Sequence, residues 1–208
     1  MARFPSINLD ITHRCTLQCQ RCNRAVFALR GQKVPGKDMT MNNFKKVIKF
    51  FEQIHFCGQI SDPIFHPQFI EFLRLLKIKG RDTIVHTAAS HKKKEWYKEA
   101  FQANTHAKWT FGIDGLPKDS SKYRINQDGE HLFNMACMAA KIVDKVKWQY
   151  IVFKYNENNI EEARQMAKDN NIIFEVQKSS RFLEEDPLRP SNKNYFIERK
   201  NYAYKPKV

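Results

Sequence analysis

Along most of the chain, short apolar runs of strand type alternate with longer stretches of helical periodicity, and this alternation limits the possible folds more than any other feature. Between residues 40 and 52, for example, apolar side chains recur at the i, i+3, i+4, i+7 spacing of a helix. The strands are predicted at residues 6–11, 54–57, 83–87, 108–113, 148–153 and 172–176. Strands joined by helices of this length form parallel βαβ units with right-handed crossovers, so the sequence predicts an α/β fold.

The number of these units bears on the architecture. Six strands are fewer than the eight that close a full barrel, so an open doubly wound sheet and a partial barrel both fit the pattern. In both architectures, ligands bind at the carboxyl ends of the strands. The loop after the first strand is therefore expected at the edge where a functional site forms.

Three of the five cysteines lie in this loop, in a C-x3-C-x2-C array of Cys15, Cys19 and Cys22. An odd number of cysteines cannot all pair in disulfides, and the tight spacing favours a metal site in a reducing compartment. Zinc and iron–sulfur clusters both prefer soft thiolate ligands. A structural zinc ion would need a fourth ligand, from His13 or from one of the two distant cysteines. A cubane cluster held by three thiolates would instead leave one iron open to an exogenous ligand.

The array resembles the cluster motif of the radical S-adenosylmethionine (radical SAM) superfamily, whose cysteines follow the first strand of a partial (β/α)6 barrel. The resemblance covers residues 6–178 and includes further segments. These are residues 8–15 (NLDITHRC), residues 56–63 (FCGQISDP) with His66-Pro67, and residues 111–116 (FGIDGL) with Tyr123-Arg124 and Asp128-Gly129. The last group is similar to members that modify peptides or proteins. The resemblance implies an α/β fold of the partial parallel (β/α)6 barrel type.

The same resemblance implies a radical SAM enzyme with a [4Fe–4S] cluster bound by Cys15, Cys19 and Cys22, and with S-adenosylmethionine (SAM) on the open iron. In this superfamily, one-electron reduction cleaves SAM to a 5′-deoxyadenosyl radical, which abstracts a hydrogen atom from the substrate. The protein positions the cofactors and excludes water. The resemblance also implies a reducing partner such as flavodoxin or ferredoxin. It favours a peptide or protein substrate over a nucleoside or small metabolite, and it leaves the reaction outcome and the catalytic residues unknown.

Five further residues are expected to bind SAM by this resemblance. Asp62 matches the acidic residue that accepts a hydrogen bond from the cofactor's ammonium group, assisted by main-chain groups near Gly58 and Ser61. Arg124 is expected to pair with the cofactor's carboxylate, because a fixed guanidinium suits that interaction. Asp114 follows the fourth strand at the same edge and is expected to reach the cofactor or the substrate.

The sequence departs from the family pattern in three places. Arg21 stands before the third cysteine, where the family usually has an aromatic residue near the adenine. The strand-two motif lacks its two adjacent glycines, since residues 58–61 read Gly-Gln-Ile-Ser. No later group of cysteines follows. The chain is therefore expected to be a minimal core with one cluster and without auxiliary-cluster domains.

We expect two parts in the chain, a core domain over residues 1–185 and a basic, aromatic tail over residues 186–208 that packs on the core or on a partner. The net charge is +14, and residues 74–98 contain eight basic and two acidic side chains. These basic residues are expected on the solvated faces of helices, where they could also dock an acidic redox protein. Nucleic acid is a less favoured partner.

A different class of protein is the alternative to the enzyme, namely a non-catalytic, zinc-stabilised basic module that binds nucleic acid. It predicts the same charge and the same cysteine loop. The repeated βα pattern and the lack of recognised nucleic-acid-binding motifs speak against it. No apolar window approaches the length of a membrane span and no targeting segment is visible, so a cytoplasmic protein without a membrane partner is expected.

Overall fold

The structure is a computed structural model that describes residues 4–182 and 185–198. At its centre lies a sheet of six strands in which every neighbouring pair is parallel. The strands are β1 Phe4–Leu9, β2 Phe51–Phe56, β3 Asp82–Thr87, β4 Lys108–Gly112, β5 Lys145–Ile151 and β6 Ile173–Gln177. Each predicted strand overlaps one of these.

Helices connect the strands and cover one face of the sheet. They are α1 Asn23–Leu29, α2 Met41–Val47, α3 Phe69–Ile78, α4 Lys94–Ala103, α5 Gly129–Ala139 and α6 Ile160–Asp169, with 3-10 turns at Pro63–Phe65, Pro117–Lys122 and Lys193–Tyr195. Helix α2 begins where the sequence predicts, because the Thr40 side chain accepts a hydrogen bond from Asn43 N. Helix α1 was not predicted, since it buries no residue and so lacks an apolar stripe. None of the helices in the described ranges is long and apolar enough to cross a membrane.

The order of the strands decides between the two architectures that the sequence leaves open. The order is β1-β2-β3-β4-β5-β6, so each strand is added beside the previous one in the same direction. A doubly wound sheet reverses direction at a switch point, and the part of the chain seen in the structure has no such point. Strands β1 and β6 are the two edges, so the barrel is open. The predicted partial parallel barrel is confirmed.

The hydrophobic core lies between the sheet and the helices. Trp109 of β4 and Trp148 of β5 are completely buried there. Trp109 packs edge-on against Phe101 of α4, with ring centroids 4.8 Å apart, and Trp148 packs against Phe133 of α5 at 5.1 Å. These large aromatic contacts fix the helices on the outer face of the barrel.

The concave face of the sheet is polar. His86 of β3 pairs in register with Thr110 of β4, and Gln149 of β5 pairs with Gly112. Near the amino ends of the strands, Lys108 Nζ lies 2.9 Å from Asp82 Oδ2. Polar side chains on this face would lose hydration if a helix packed on them, so the alternation of apolar and polar residues leaves the face open.

Residues 185–198 run back over the carboxyl ends of β5 and β6. Lys154 N donates a hydrogen bond to Leu188 O at 2.9 Å, and Phe196 is buried. These contacts fall within residues 186–198 of the predicted tail, whose separation from the core domain stays a prediction. The rest of that tail, residues 199–208 with four of its basic side chains, lies outside the described residues.

Candidate active site

A cavity of about 540 Å³ opens at the carboxyl ends of the strands. The cysteine loop, the loop after β2 and the ends of strands β3 to β6 form its wall. Its lining includes seven of the eight residues predicted for the site, namely Cys15, Cys19, Cys22, Gly58, Ser61, Asp62 and Arg124. The fold therefore brings together residues that are up to 109 positions apart in the sequence, from Cys15 to Arg124.

The cysteine loop is held by the buried side chain of Leu17 and by main-chain hydrogen bonds. Gln18 N donates to Ile125 O at 3.1 Å, which joins the loop to the segment after β4. Cys22 N donates to Cys19 O at 3.1 Å, and Cys22 is the N-cap residue of α1. This turn brings the second and third cysteines to the same wall of the cavity.

The three motif cysteines are free, half-buried thiols. Burial raises the pKa of Cys15 to about 12, and the charge of Asp62 adds to this effect. Burial also raises the pKa of Cys19, although the charge of Arg124 opposes it. The Cys15 and Cys19 thiols are therefore neutral at neutral pH, and a metal that binds them must displace their protons. Three soft sulfur donors on one cavity wall fit an iron–sulfur cluster.

The zinc site considered from the sequence needs a fourth ligand beside the three cysteines. Within the described ranges, no three side chains of His, Cys, Asp or Glu lie close enough together to hold a single metal ion. His13, the nearest candidate for a fourth zinc ligand, is not among the cavity residues. Its Nδ1 instead faces Asp38 Oδ1 at 4.0 Å.

The loop after β2 packs on the end of β1 through Asp10. Asp10 Oδ2 accepts a hydrogen bond from Gln59 N at 3.0 Å, and Oδ1 accepts one from Ser61 Oγ. A Cβ at Gly58 would collide with the Ser61 carbonyl, so the tight turn requires glycine. Sequence reasoning missed Asp10. The available signal was its place as the first residue after β1, at the carboxyl edge of the sheet.

Asp62 lies on the cavity wall, but donors within the protein occupy its carboxylate. Ala88 N and Ala89 N donate to Oδ2 at 2.8 and 3.0 Å. Thr87 Oγ1 and Ile64 N donate to Oδ1 at 2.9 and 3.3 Å. Burial raises the pKa of Asp62, and these hydrogen bonds offset only part of that rise. Four donors match the acceptor capacity of a carboxylate, so Asp62 ties the end of β2 to β3. Its contact with the SAM ammonium group stays a prediction.

Arg124 lines the cavity beside a completely buried carboxylate. Its Nε lies 2.7 Å from Asp114 Oδ2, and Asp114 Oδ1 accepts a hydrogen bond from Ile151 N at 2.8 Å. Burial lowers the pKa of Arg124, but the charge of Asp114 outweighs this and leaves that pKa above its ordinary value. Gly112 makes room for the guanidinium, since a Cβ there would lie 2.9 Å from Arg124 Nη2. Arg124 is therefore charged and fixed at the cavity, as carboxylate binding requires.

Asp114 is the one predicted site residue that does not line the cavity. It lies behind Arg124, and Tyr155 Oη donates a hydrogen bond to its main-chain oxygen at 2.6 Å. The adjacent Gly115 has a φ of +117°, which explains the Asp-Gly pair in the sequence. Direct contact of Asp114 with the cofactor or the substrate stays a prediction, whereas its contact with Arg124 is observed.

The concave face adds three polar side chains that sequence reasoning did not assign to a site. His86, Thr110 and Gln149 line the cavity from adjacent strands. Their side chains make no hydrogen bond within the part of the chain that the structure describes, so their donors and acceptors face the cavity. Burial lowers the pKa of His86, and the nearby His55 and Lys147 lower it further. The sequence feature that could have indicated these residues is the alternation of polar and apolar side chains along the predicted strands, which places the polar ones on one face of the sheet.

Comparison with known proteins gives one match by sequence. No protein-family model matches the chain. A protein of Bradyrhizobium diazoefficiens described as PqqA peptide cyclase is 32% identical over 89 residues, which are 40% of this chain and 22% of that protein. The chain thus aligns with about a fifth of its curated relative.

Solved structures share the fold over most of the chain. The crystal structure of Streptococcus suis SuiB superposes with a TM-score of 0.67 at 14% identity, covering 96% of this chain and 43% of SuiB. SuiB bound to its precursor peptide SuiA gives a TM-score of 0.66 at 13% identity, covering 85% of this chain and 39% of that one. SuiB bound to SAM gives 0.60 at 14% identity, covering 85% of this chain and 38% of that one.

The chain is shorter than these proteins and spans less than half of SuiB. The peptide cyclase and SuiB are both radical SAM enzymes. The cysteine array, the sequence match and the shared fold point to the same group of proteins. The resemblance drawn from the sequence is thus confirmed: this chain is similar to the radical SAM superfamily, and its described residues have the fold of that superfamily's core.

Proposed function

We propose that this protein is a radical SAM enzyme that holds a [4Fe–4S] cluster through Cys15, Cys19 and Cys22, cleaves SAM reductively and abstracts a hydrogen atom from a peptide. One observation carries the proposal. Three free thiols stand at the carboxyl end of a six-stranded partial barrel, on the wall of a cavity of about 540 Å³. Soft donors at this edge of the sheet fit the cluster, and the cavity beside them leaves space for its ligand.

When bound, the cluster and SAM supply the electron transfer and the radical chemistry. The chain's own residues bind and orient these groups. The three thiolates would hold the cluster on the cavity wall. Arg124 would present its fixed guanidinium to the SAM carboxylate, restrained by Asp114. Asp10 and Asp62 would fix the loop 58–61 beside the cofactor, and the sheet beneath would limit the access of water.

A peptide is the substrate class that we propose. The relative in Bradyrhizobium diazoefficiens is described as a peptide cyclase, and SuiB has been solved with a precursor peptide. The concave face of this chain offers the side chains of His86, Thr110 and Gln149. Amide groups of a peptide can donate to and accept from such side chains, which supports the assignment.

The electron donor that we propose is an acidic one-electron carrier such as flavodoxin or ferredoxin. The net charge of +14 would attract an acidic protein and steer its docking. The five cysteines are all free, which fits the reducing conditions of a cytoplasm.

Anaerobic reconstitution tests the proposal. The full chain, treated with iron and sulfide, should bind about four irons and become brown. Addition of SAM and a reductant should then release 5′-deoxyadenosine. Cys15→Ala should abolish all three results, because two thiolates cannot hold the cluster. Cys137→Ala is the matched control, because Cys137 is a half-buried cysteine of α5 outside the cavity lining, and it should leave all three unchanged.

A colourless protein that binds a single zinc ion tightly would contradict the proposal. Equal release of 5′-deoxyadenosine by the wild-type chain and by Cys15→Ala would contradict it as well, because the reaction would then not depend on the motif.

A further inference from the structure

We propose that the C-terminal segment, residues 178–182 and 185–198, is a clasp that fixes the positions of Cys19 and Cys22, with Arg21 and Asp186 as its positioning residues. The first part of the clasp lines the cavity beside both cysteines. A role of the clasp in cluster retention rests on the proposed function. Its effect on the cysteine loop does not, because that effect can be measured without a cluster.

The charged anchor of the clasp joins Arg21 to Asp186. Arg21 Nη2 and Nε lie 2.7 and 3.0 Å from Asp186 Oδ2. The Asp186 side chain is completely buried, and its Oδ1 accepts a hydrogen bond from Leu188 N at 3.0 Å. Arg21 stands between the second and third motif cysteines, where the superfamily usually has an aromatic residue. The anchor therefore acts directly on the part of the loop that carries Cys19 and Cys22.

An apolar anchor lies next to the charged one. Phe182 of the clasp packs edge-on against Phe153 at 5.5 Å between ring centroids, and Phe153 packs against Tyr123 at 4.2 Å. Phe196 of the clasp belongs to the same small hydrophobic cluster, which is separate from the main core. Cys19 packs against this cluster. The clasp thus contributes to the cluster on which Cys19 packs, and it holds the segment before Cys22 through the neighbouring arginine.

Main-chain hydrogen bonds hold the clasp itself in place. Ile197 N donates to Ser179 O at 3.1 Å, which closes the segment on itself. Lys154 N donates to Leu188 O at 2.9 Å, which joins the clasp to the loop after β5. These bonds do not involve the Asp186 side chain, so removing that side chain should leave the frame of the clasp intact.

The clasp matters because the loop has few other anchors after Cys22. Helix α1 follows immediately and buries no residue, so it contributes little packing energy. Its described tether is Arg24, whose Nη1 donates to His13 O and Ile60 O at 2.7 and 2.9 Å. Arg24 holds helix α1 to the loop after β2. Asp186 holds the cysteine loop from the β6 side of the barrel. Without Asp186 the cysteine loop loses its ion pair on the β6 side and keeps, among the described contacts, Arg24 and the hydrogen bond from Arg181 Nη1 to Arg21 O at 3.5 Å.

Thiol alkylation of the metal-free full chain tests the clasp. Each cysteine would be followed by mass spectrometry during reaction with iodoacetamide under reducing, oxygen-free conditions. Asp186→Ala should raise the rates at Cys19 and Cys22 by about tenfold, because local opening governs the access of the reagent. Cys137 on α5 serves as the internal reference and should not change. Unchanged rates at Cys19 and Cys22, or an equal rise at Cys137, would overturn the proposal.

Two further variants separate position from charge. Asp186→Ala also leaves the Arg21 side chain without its ion-pair partner, and that unpaired charge is a second change beside the loss of the anchor. The double variant Arg21→Ala/Asp186→Ala removes that charge, and its rates should stay raised. A return to wild-type rates would overturn the positioning role. Glu99→Ala breaks a different arginine–carboxylate pair, at 2.6 Å from Arg74, and should change neither rate.

Cluster retention is the second measurement. After anaerobic reconstitution, a chelator should remove iron from Asp186→Ala several-fold faster than from Glu99→Ala, because a mobile loop exposes its thiolates more often. Equal rates of iron loss would overturn the link between the clasp and the cluster. If the wild-type chain binds no cluster, the proposed function fails, and the alkylation rates still decide whether the clasp exists.

Discussion

The loops after β2 and β4 each place a buried aspartate at the carboxyl edge of the sheet, and the protein stabilises the two carboxylates in different ways. Asp62 accepts hydrogen bonds from four donors and forms no ion pair with residues 4–182 or 185–198. Asp114 accepts one main-chain hydrogen bond and pairs with Arg124 at 2.7 Å. At the same edge of the sheet, one buried aspartate therefore joins two strands, and the other supports the arginine that faces the cavity.

The largest expected effect is that of Asp114→Ala on stability. The substitution leaves the buried Arg124 guanidinium without its partner, so the free energy of unfolding should fall by roughly 3–5 kcal/mol. Urea denaturation of the metal-free chain measures this. The double variant Asp114→Ala/Arg124→Met, which has no unpaired charge, should recover part of the loss. A loss of under about 1 kcal/mol is typical of exposed ion pairs and would contradict the role of Asp114 as the buried partner of Arg124.

Asp62→Ala should have the next largest effect, again on stability. It leaves three main-chain N–H groups and the Thr87 hydroxyl without their acceptor, which should cost roughly 2–4 kcal/mol. Denaturation under the same conditions as for Asp114→Ala allows a direct comparison. Asp62→Asn tests the role of the charge. If the Asp62→Asn variant lost affinity for SAM while keeping its full stability, Asp62 would be a cofactor ligand and not a structural link between the loop after β2 and the end of β3.

Arg124→Lys should weaken SAM binding while changing stability less than Asp114→Ala does. A lysine keeps the charge opposite Asp114 but loses the planar guanidinium, so the affinity should fall about tenfold. Titration calorimetry on the anaerobically reconstituted protein measures the affinity. Lys122→Ala, in a more exposed ion pair of the same segment, is the control and should bind SAM as the wild type does. An unchanged affinity of Arg124→Lys would remove Arg124 from the site.

His86 gives the smallest expected effect and extends the comparison to a buried base on the concave face. Burial lowers its pKa, so between the folded and unfolded pKa values the unfolded chain binds more protons. Stability should therefore fall as the pH drops below about 6.5, by about 1 kcal/mol or less. His86→Gln should reduce this dependence, as measured by denaturation between pH 7 and pH 5. An identical pH dependence in the two proteins would contradict this role.

The parts of the fold that could be predicted from sequence depend on local patterns. Strand β4 was predicted to within one residue, because large apolar side chains alternate along it at Trp109, Phe111 and Ile113. Strand β5 lies up to three residues earlier than predicted. The apolar residues Val152 and Phe153 extended the prediction, but they belong to the following turn, where Phe153 N donates to Asn156 Oδ1 at 2.7 Å.

The contacts that define the site depend on residues far apart in the chain. Nothing near Arg21 in the sequence indicates its pairing with Asp186, which lies 165 positions away. Asp10 contacts the loop after β2 across 49 positions. Such pairs form because parallel strands bring their carboxyl ends to one edge of the sheet, whatever their separation in sequence. Single-sequence reasoning can assign residues to that edge, but it cannot assign them to one another.

The sequence by itself determined the βα alternation and the three-cysteine loop at the carboxyl edge, and seven of the eight residues predicted for the site line the cavity. Local periodicity and motif spacing carry that information. Tertiary structure alone decided that the six strands lie in sequential order as an open barrel, that Asp114 stands behind Arg124, and that the C-terminal segment reaches Arg21. Those features depend on contacts between residues that are distant in sequence. The free energy of each contact depends on how deeply its charged groups are buried and on the hydrogen-bond donors that other segments supply.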